Sequence, residues 1–131
     1  FIKNFLYLIL KKNIMSSDVP FNLLKNLIDN SSNNAKIKEK IDGWNKTFQF
    51  NPAGADPFFI EISNNEINVS QGTHDSPLAT MIAETQDLID MFEGKLDSLG
   101  AFFSGKLKIE GKVMETQSLN FILKEAVFNS T

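Results

Sequence analysis

The sequence contains no cysteine among its 131 residues, and it contains a single histidine, His74. A chain without thiols forms neither disulfide bonds nor thiolate metal sites, and this composition suits a reducing compartment. Two glycine-rich phosphate-binding patterns, G-x-G-x-x-G and G-x-x-x-x-G-K-[ST], are also missing, so a nucleotide-binding fold has no support. These absences predict neither a metal ion nor another cofactor.

Blocks of like charge and long apolar runs are missing as well. The 13 Lys and Arg residues are interspersed with 16 Asp and Glu residues, for a net charge of -3. No basic stripe is therefore available to contact a nucleic-acid backbone. The apolar run Phe5–Leu10 is six residues long, whereas a helix that crosses a bilayer needs about 20. The composition predicts a soluble globular protein with no nucleic-acid partner.

The N-terminal residues stand apart from the rest of the chain. The sequence begins with Phe1, the first methionine is Met15, and no A-x-A-like cleavage site follows the apolar run. We expect residues 1–14 to be an N-terminal extension and residues 15–131 to be a single domain. The extension could be upstream coding sequence or an optional segment, an amphipathic anchor on a membrane surface, or a segment that packs onto the domain.

Phenylalanine is the residue in excess, with 12 Phe against one Trp and one Tyr. A phenyl ring supplies bulk without a polar group, which suits a large apolar interior or an apolar cavity. A chain of this length is within the usual size of one domain, and it buries roughly two thirds of its unfolded surface.

Apolar periodicity predicts an α+β fold. Helices are expected at 20–29, 86–93, 98–104 and 112–124, and strands at 44–50, 58–63, 66–71, 78–83 and 106–110. The first three strands form an antiparallel meander with one buried face. Its second turn is Asn64-Asn65, because asparagine tolerates a positive φ.

The sequence Gly-Lys-Leu occurs twice in the second half of the chain, at 94–96 and at 105–107. In each copy the glycine is predicted to end a helix, the lysine to be solvated and the leucine to turn inward. The first copy continues as GKLD, and the second lies within AFFSGKLKIEG at 101–111.

These two elements, at this spacing, resemble the sterol carrier protein type-2 family. Members of that family carry a G-K-L-D-P element followed by A-F-x-x-G-K-L-K-I-x-G. The order of helix, meander and turns upstream is also similar, so the resemblance covers roughly Pro20 to Leu123.

The resemblance implies a five-stranded, mostly antiparallel sheet with helices packed on one face, enclosing an apolar tunnel. It implies non-covalent binding and transfer of lipids, namely fatty acids, fatty acyl-CoA, phospholipids or sterols, without catalysis and with transient membrane contact. An accessory domain that presents lipid to a separate enzyme would have the same pocket and stays an alternative.

Twelve apolar residues are candidates for contacting the lipid. By themselves, methionine and phenylalanine at helix and strand spacing are more typical of a core than of an adaptable cavity; the resemblance favours the cavity. The candidates are Met81, Leu88, Met91, Phe92, Phe102, Phe103, Leu107, Ile109, Met114, Leu119, Ile122 and Leu123.

No catalytic residue is predicted. His74 stands next to Asp75 and Ser76, but a Ser-His-Asp triad is defined by geometry in space, which adjacency in sequence does not supply. We therefore expect His74 to be a solvated loop residue.

Four lysines, Lys95, Lys106, Lys108 and Lys112, cluster around the two Gly-Lys-Leu elements. They are either solvated residues at edges and caps or a ring around a portal that contacts a lipid phosphate, a CoA group or an anionic membrane. The final residues, Asn129-Ser130-Thr131, differ from a peroxisomal S-K-L signal, and the expected compartment is the cytoplasm.

Overall fold

The structure, a computed structural model, describes residues 18–129. The expected boundary between residues 14 and 15 lies outside them. The helices are α1 (Val19–Asn30), α2 (Ala35–Lys40), α3 (Thr85–Phe92), α4 (Ser98–Ser104) and α5 (Thr116–Asn129), with a 3-10 turn at Val113–Glu115. The strands are β1 (Lys46–Ala53), β2 (Phe58–Ser63), β3 (Glu66–Gln71), β4 (Ala79–Glu84) and β5 (Leu107–Gly111).

The five strands form one sheet in the order β3-β2-β1-β4-β5. The pairs β1–β2, β2–β3 and β4–β5 are antiparallel, and β1–β4 is parallel. The meander closes as predicted at Asn64 and Asn65, whose φ angles are +53° and +62°. The predicted fold class, a mostly antiparallel sheet in an α+β domain, is confirmed.

The inner face of the sheet carries the core. Side chains alternate across a strand, and the inward residues of β2, Phe58, Ile60 and Ile62, are buried. The phenyl ring of Phe50 stacks on that of Phe58 with 5.0 Å between centroids. Helix α1 packs against β3, α3 and α5, so the helices lie on this one face, as predicted.

The outer face is crossed by the segment that joins β3 to β4. Gln49, which is buried on this face, donates from Nε2 to the carbonyl oxygens of Phe58 and Gly72, both at 3.1 Å. Its Oε1 accepts from the backbone N–H of His74 at 2.9 Å. One amide side chain therefore holds the crossover against the sheet while its own polar atoms stay satisfied.

Strand β1 differs from its prediction. It begins at Lys46 rather than at Trp44 and continues to Ala53, through residues that the sequence assigned to a turn-rich loop. Pairing with β2 ends at Phe50, and from there β1 keeps only β4 as a neighbour. Pro52 is tolerated because proline is compatible with a strand that has lost one neighbour.

The last helix was predicted to begin at residue 112, and it begins later, at Thr116. Gly111 is the final residue of β5, and α5 begins only at Thr116, after the 3-10 turn. The hydroxyl of Thr116 donates to the carbonyl oxygen of Val113 at 2.6 Å, which satisfies a backbone acceptor where the chain changes direction.

Both Gly-Lys-Leu glycines adopt positive φ angles, +78° for Gly94 and +85° for Gly105, just after α3 and α4. Their predicted role as helix stops is confirmed. Gly111 also has a positive φ, +94°, but its surroundings are tighter. A Cβ atom there would lie 2.6 Å from the backbone oxygen of Leu78, whereas a Cβ at Gly105 would meet nothing within 4 Å.

Gly105→Ala and Gly111→Ala form a matched pair of variants. Gly105→Ala should lower the free energy of unfolding by about 1–2 kcal/mol, which is the cost of a left-handed alanine. Gly111→Ala should lower it by clearly more, because the clash is with backbone of β4 that cannot rotate away. Equilibrium urea unfolding measures both, and equal losses would contradict this account.

Candidate functional site

The helices among residues 18–129 do not fill the whole space above the inner face of the sheet. A cavity of about 560 Å³ lies between β4 and β5 on one side and α3, α4 and α5 on the other. This volume is within the range of roughly 300–1,000 Å³ that is usual for small-molecule sites. The cavity occupies the region of the predicted apolar tunnel; a tunnel with two open ends stays a prediction.

The floor of the cavity is a row of three apolar side chains on neighbouring strands. Phe50 of β1 is in register with Met81 of β4, and Met81 is in register with Ile109 of β5. Leu107 adds to the floor on β5. Because in-register residues of paired strands project to the same face, these side chains form one continuous apolar surface.

The walls of the cavity are apolar side chains of α3 and α5, which share one face of each helix because of their spacing. On α3, Leu88, Met91 and Phe92 are at i, i+3 and i+4, and all three line the cavity. On α5, Leu119 and Leu123 are four residues apart and do the same. Residues at these spacings share one face of a helix, so each helix contributes one apolar stripe.

Eleven of the twelve candidate residues line the cavity, and Ile122 does not. Ile122 is 0% exposed and belongs to the buried stripe of α5 that also contains Ala126. The stripe next to it, which contains Leu119 and Leu123, faces the cavity. Each residue turns the helix by about 100°, so neighbouring apolar residues can face different partners. Contact between any of the eleven and a lipid stays a prediction.

The leucines of both Gly-Lys-Leu elements line the same cavity. Leu96 and Leu107 were both predicted to turn inward, but only Leu107 was a candidate for lipid contact. Further lining residues were not selected at all; the apolar ones are Phe50, Leu99, Val113, Val127 and Phe128, and the polar ones are Asp97, Ser98, Thr116, Gln117, Asn120 and Lys124. The four-residue spacing of Thr116, Asn120 and Lys124 was the available signal.

Five large exposed apolar side chains among residues 18–129 line the cavity where it meets the surface, and two of them are Phe128 and Val113, which are 80% and 37% exposed. The other three are the most exposed ones of α4 and the 3-10 turn. Leu99 and Phe103 of α4 are 53% and 77% exposed, and Met114 of the 3-10 turn is 72% exposed. Each also lines the cavity. We call these three residues the apolar rim. The exposure of Phe103 shows that it stands at this edge and not in the space between helix and sheet.

Four of the polar lining residues, Asp97, Ser98, Asn120 and Lys124, lie where the start of α4 meets α5. Asp97 caps α4 by accepting the backbone N–H of Gly100 at 2.9 Å, and its Oδ1 lies 3.5 Å from Lys124 Nζ. The bond from Gly100 holds the pKa of Asp97 below its usual 3.8, and the charge of Lys124 acts in the same direction. The hydroxyl of Ser98 donates to Asn120 Oδ1.

Of the two interpretations of the four lysines, the cavity lining favours solvated residues over a ring around a portal. None of Lys95, Lys106, Lys108 and Lys112 lines the cavity. Lys108 lies between Leu107 and Ile109 on β5, and because strand residues alternate in direction it faces the opposite side of the sheet. The lysine that does line the cavity is Lys124.

His74 lies on the outer face of the sheet, away from the cavity. Its Nδ1 accepts the backbone N–H of Ser76 at 3.1 Å, and its Nε2 is 3.7 Å from Glu61 Oε2. Its ring meets the ring of Phe59 edge-on at 5.3 Å. His74 is thus half-buried and packed, not fully solvated as predicted, and these contacts do not form a triad.

Residues 18–129 contain no group of three or more His, Asp or Glu side chains placed to hold a metal ion. Within the same range, every helix is too short or too polar to cross a membrane.

Comparison with known families and structures agrees with this architecture. A model of the SCP-2 sterol transfer family matches residues 22–124. The apo form of sterol carrier protein 2 from Yarrowia lipolytica superposes with a TM-score of 0.64 at 24% identity, covering 88% of this chain and 94% of that one. The sterol carrier protein domain 2 of Helicoverpa armigera gives 0.66 at 25% identity, with coverage of 85% and 90%.

Curated proteins match over a shorter stretch. The peroxisomal multifunctional enzyme type 2 of Mus musculus is 39% identical over 67 residues, which are 50% of this chain and 9% of the mouse protein. The hydroxysteroid dehydrogenase-like protein 2 of Bos taurus is 36% identical over 69 residues, 50% of this chain and 16% of the bovine protein. The matched stretch is thus less than a fifth of either relative.

Proposed function

Because the chain belongs to the SCP-2 sterol transfer family, we propose that it is a non-catalytic, cytoplasmic lipid carrier. Lipid binding is the general function that this membership supports. The proposed ligands are fatty acids, fatty acyl-CoA, phospholipids or sterols, held without covalent chemistry. The observation that carries the proposal is the apolar cavity between β4–β5 and the three helices. Fractionation of cells tests the cytoplasmic location, and recovery in another compartment would overturn it.

The energetics favour a ligand with a long apolar chain. Each methylene group that leaves water contributes about 0.8 kcal/mol, so a C16 chain supplies roughly 12 kcal/mol before costs. Association costs about 4 kcal/mol or more in lost translational and rotational freedom. The difference corresponds to dissociation constants on the order of micromolar.

The lining also suits ligands of irregular shape. Met81, Met91 and Met114 line the cavity at the floor, on α3 and at the rim. An unbranched thioether adapts to different shapes and packs well against phenyl rings. The cavity wall can therefore adjust to chains of different length, as a carrier with several lipid ligands requires.

A second candidate function is that of an accessory domain that presents lipid to a separate enzyme. The matched stretch is a small part of the mouse and bovine relatives, and both relatives carry the names of enzymes. A carrier transfers lipid between vesicles without a partner, whereas an accessory domain needs its enzyme. Transfer by the isolated chain therefore distinguishes the two.

The apolar rim supports transient contact with a bilayer. Leu99, Phe103 and Met114 are exposed where the cavity meets the surface. Insertion of these side chains among lipid tails would remove apolar area from water. It would also open the cavity directly to the bilayer, so that a lipid need not cross water on its way in.

Ile109→Glu and Lys108→Glu test the cavity as the lipid site. Ile109 faces the cavity and Lys108 faces the opposite side of the same strand. A carboxylate at position 109 would have to lose its hydration beside the ligand, so binding of a neutral long-chain fluorescent probe should weaken by about tenfold or more. The control should bind like wild type. A folded Ile109→Glu protein with unchanged affinity would place the ligand elsewhere.

Phe103→Ser tests the apolar rim, with Phe121→Ser as its control. Phe121 is also exposed but does not line the cavity. Phe103→Ser should slow the transfer of a fluorescent lipid to vesicles by about tenfold, because one exposed phenyl group gains roughly 1.5–3 kcal/mol on leaving water. The control should transfer at the wild-type rate. Equal transfer rates for wild type, Phe103→Ser and Phe121→Ser would show that the apolar rim does not take part in lipid transfer.

A further inference from the structure

The polar atoms that line the cavity are not spread around it. They come from Asp97 and Ser98 at the start of α4 and from four residues of α5, whereas the other lining residues within 18–129 are apolar apart from Gly94. We call the group of Asp97, Ser98, Asn120 and Lys124 the α4–α5 seam. A cavity with one polar wall suits a ligand that has an apolar body and one polar end.

The seam offers two hydrogen-bond donors side by side. Asn120 and Lys124 are four residues apart on α5, so their side chains are neighbours on one helix face. The hydroxyl of Ser98 donates to Asn120 Oδ1. The amide oxygen is thus occupied by a donor, and the N–H groups of Asn120 Nδ2 remain for an acceptor. The ammonium group of Lys124 supplies further donors and a positive charge.

The present partner of Lys124 is easily exchanged. Lys124 Nζ lies 3.5 Å from Asp97 Oδ1, and the two side chains are 60% and 53% exposed. An ion pair with this exposure contributes little to stability. Asp97 also accepts the backbone N–H of Gly100 at 2.9 Å, so its carboxylate keeps a partner when Lys124 turns to another anion.

We propose that the α4–α5 seam is the headgroup site of this cavity and that it favours, among the proposed ligands, those whose polar end is a carboxylate. This inference rests on the proposed lipid-carrier function. The ligand carboxylate accepts hydrogen bonds from Lys124 Nζ and Asn120 Nδ2, and its chain lies on the floor formed by Phe50, Met81 and Ile109. Hydrogen bonds between charged groups are about twice as strong as neutral ones, so the seam sets the identity of the ligand's polar end.

Other lipid heads fit the seam less well. A sterol hydroxyl carries no charge and gains no ion pair from Lys124. A CoA group carries several phosphates, whereas among the described lining residues Lys124 is the one cation. A single carboxylate matches one ammonium group and one adjacent amide.

The test compares palmitate with hexadecanol, which has the same chain length and a neutral head, by calorimetric titration at low ionic strength. Lys124→Gln should weaken palmitate binding by about three- to tenfold and leave hexadecanol binding unchanged. Lys106→Gln is the control, since Lys106 is an exposed lysine outside the cavity lining. It should alter neither ligand. Added salt should weaken palmitate and not hexadecanol.

Asp97→Asn should change the affinity for palmitate in the direction opposite to that of Lys124→Gln. Asparagine caps a helix as well as aspartate does, so α4 should persist, while the carboxylate that competes for Lys124 is removed. Palmitate binding should therefore tighten. Weaker palmitate binding in a folded Asp97→Asn protein would overturn the inference.

The outcomes distinguish failure of the carboxylate site from failure of the proposed lipid-carrier function. If wild type binds neither palmitate nor hexadecanol, and binds no sterol, phospholipid or acyl-CoA probe in the same assay, the lipid-carrier function fails. If wild type binds both and Lys124→Gln weakens neither, or weakens both equally, the function stands and the carboxylate site is wrong.

Discussion

An apolar sheet face must be covered, and in this protein it is covered unevenly. Helix α1 packs over the β3 side, where Phe58 and Ile60 are fully buried. At the other end, the row of Phe50, Met81 and Ile109 is the floor of a cavity, and Ile109 is only half-buried. Apolar area left in contact with water is unfavourable, so an apolar ligand would stabilise the end of the sheet that the helices of residues 18–129 leave uncovered.

The two Gly-Lys-Leu elements explain why that end stays open. Each glycine ends a helix, so α3 and α4 are only eight and seven residues long. Neither helix is long enough to close the space above β4 and β5. Each element then sends its leucine, Leu96 or Leu107, into the cavity. Each element therefore combines a glycine that ends a helix with a leucine that lines the space left by that helix.

Local patterns predicted much of this arrangement. Strands β2 and β3 and their Asn64-Asn65 turn follow from alternation and from the tolerance of asparagine for positive φ. Strand β1 was predicted to end too early, at residue 50. Pro52 by itself indicates a loop, and it fits a strand here only because the pairing with β2 has already ended at Phe50. Which strands pair is a long-range property that a local window does not contain.

The site was harder to predict than the fold, for two physical reasons. On α5, Ile122 and Leu123 are both apolar, and only packing decides which of them enters the core and which lines the cavity. Polar lining residues such as Asn120 and Lys124 have the same sequence signature as a solvated helix face. Lys108, in contrast, could be excluded from the cavity lining on sequence alone. Its position between Leu107 and Ile109 already implied that it faces away from the cavity.

Three methionine methyl groups offer the most direct test of a lipid in this cavity. Met81 lies on its floor, Met91 on a wall and Met114 at its rim, so ¹³C-methyl NMR during titration with a long-chain lipid reports on each depth separately. The account predicts that the signals of Met81 and Met91 shift together with that of Met114 and saturate with the same dissociation constant. A shift of Met114 alone would show binding at the surface and would contradict the account.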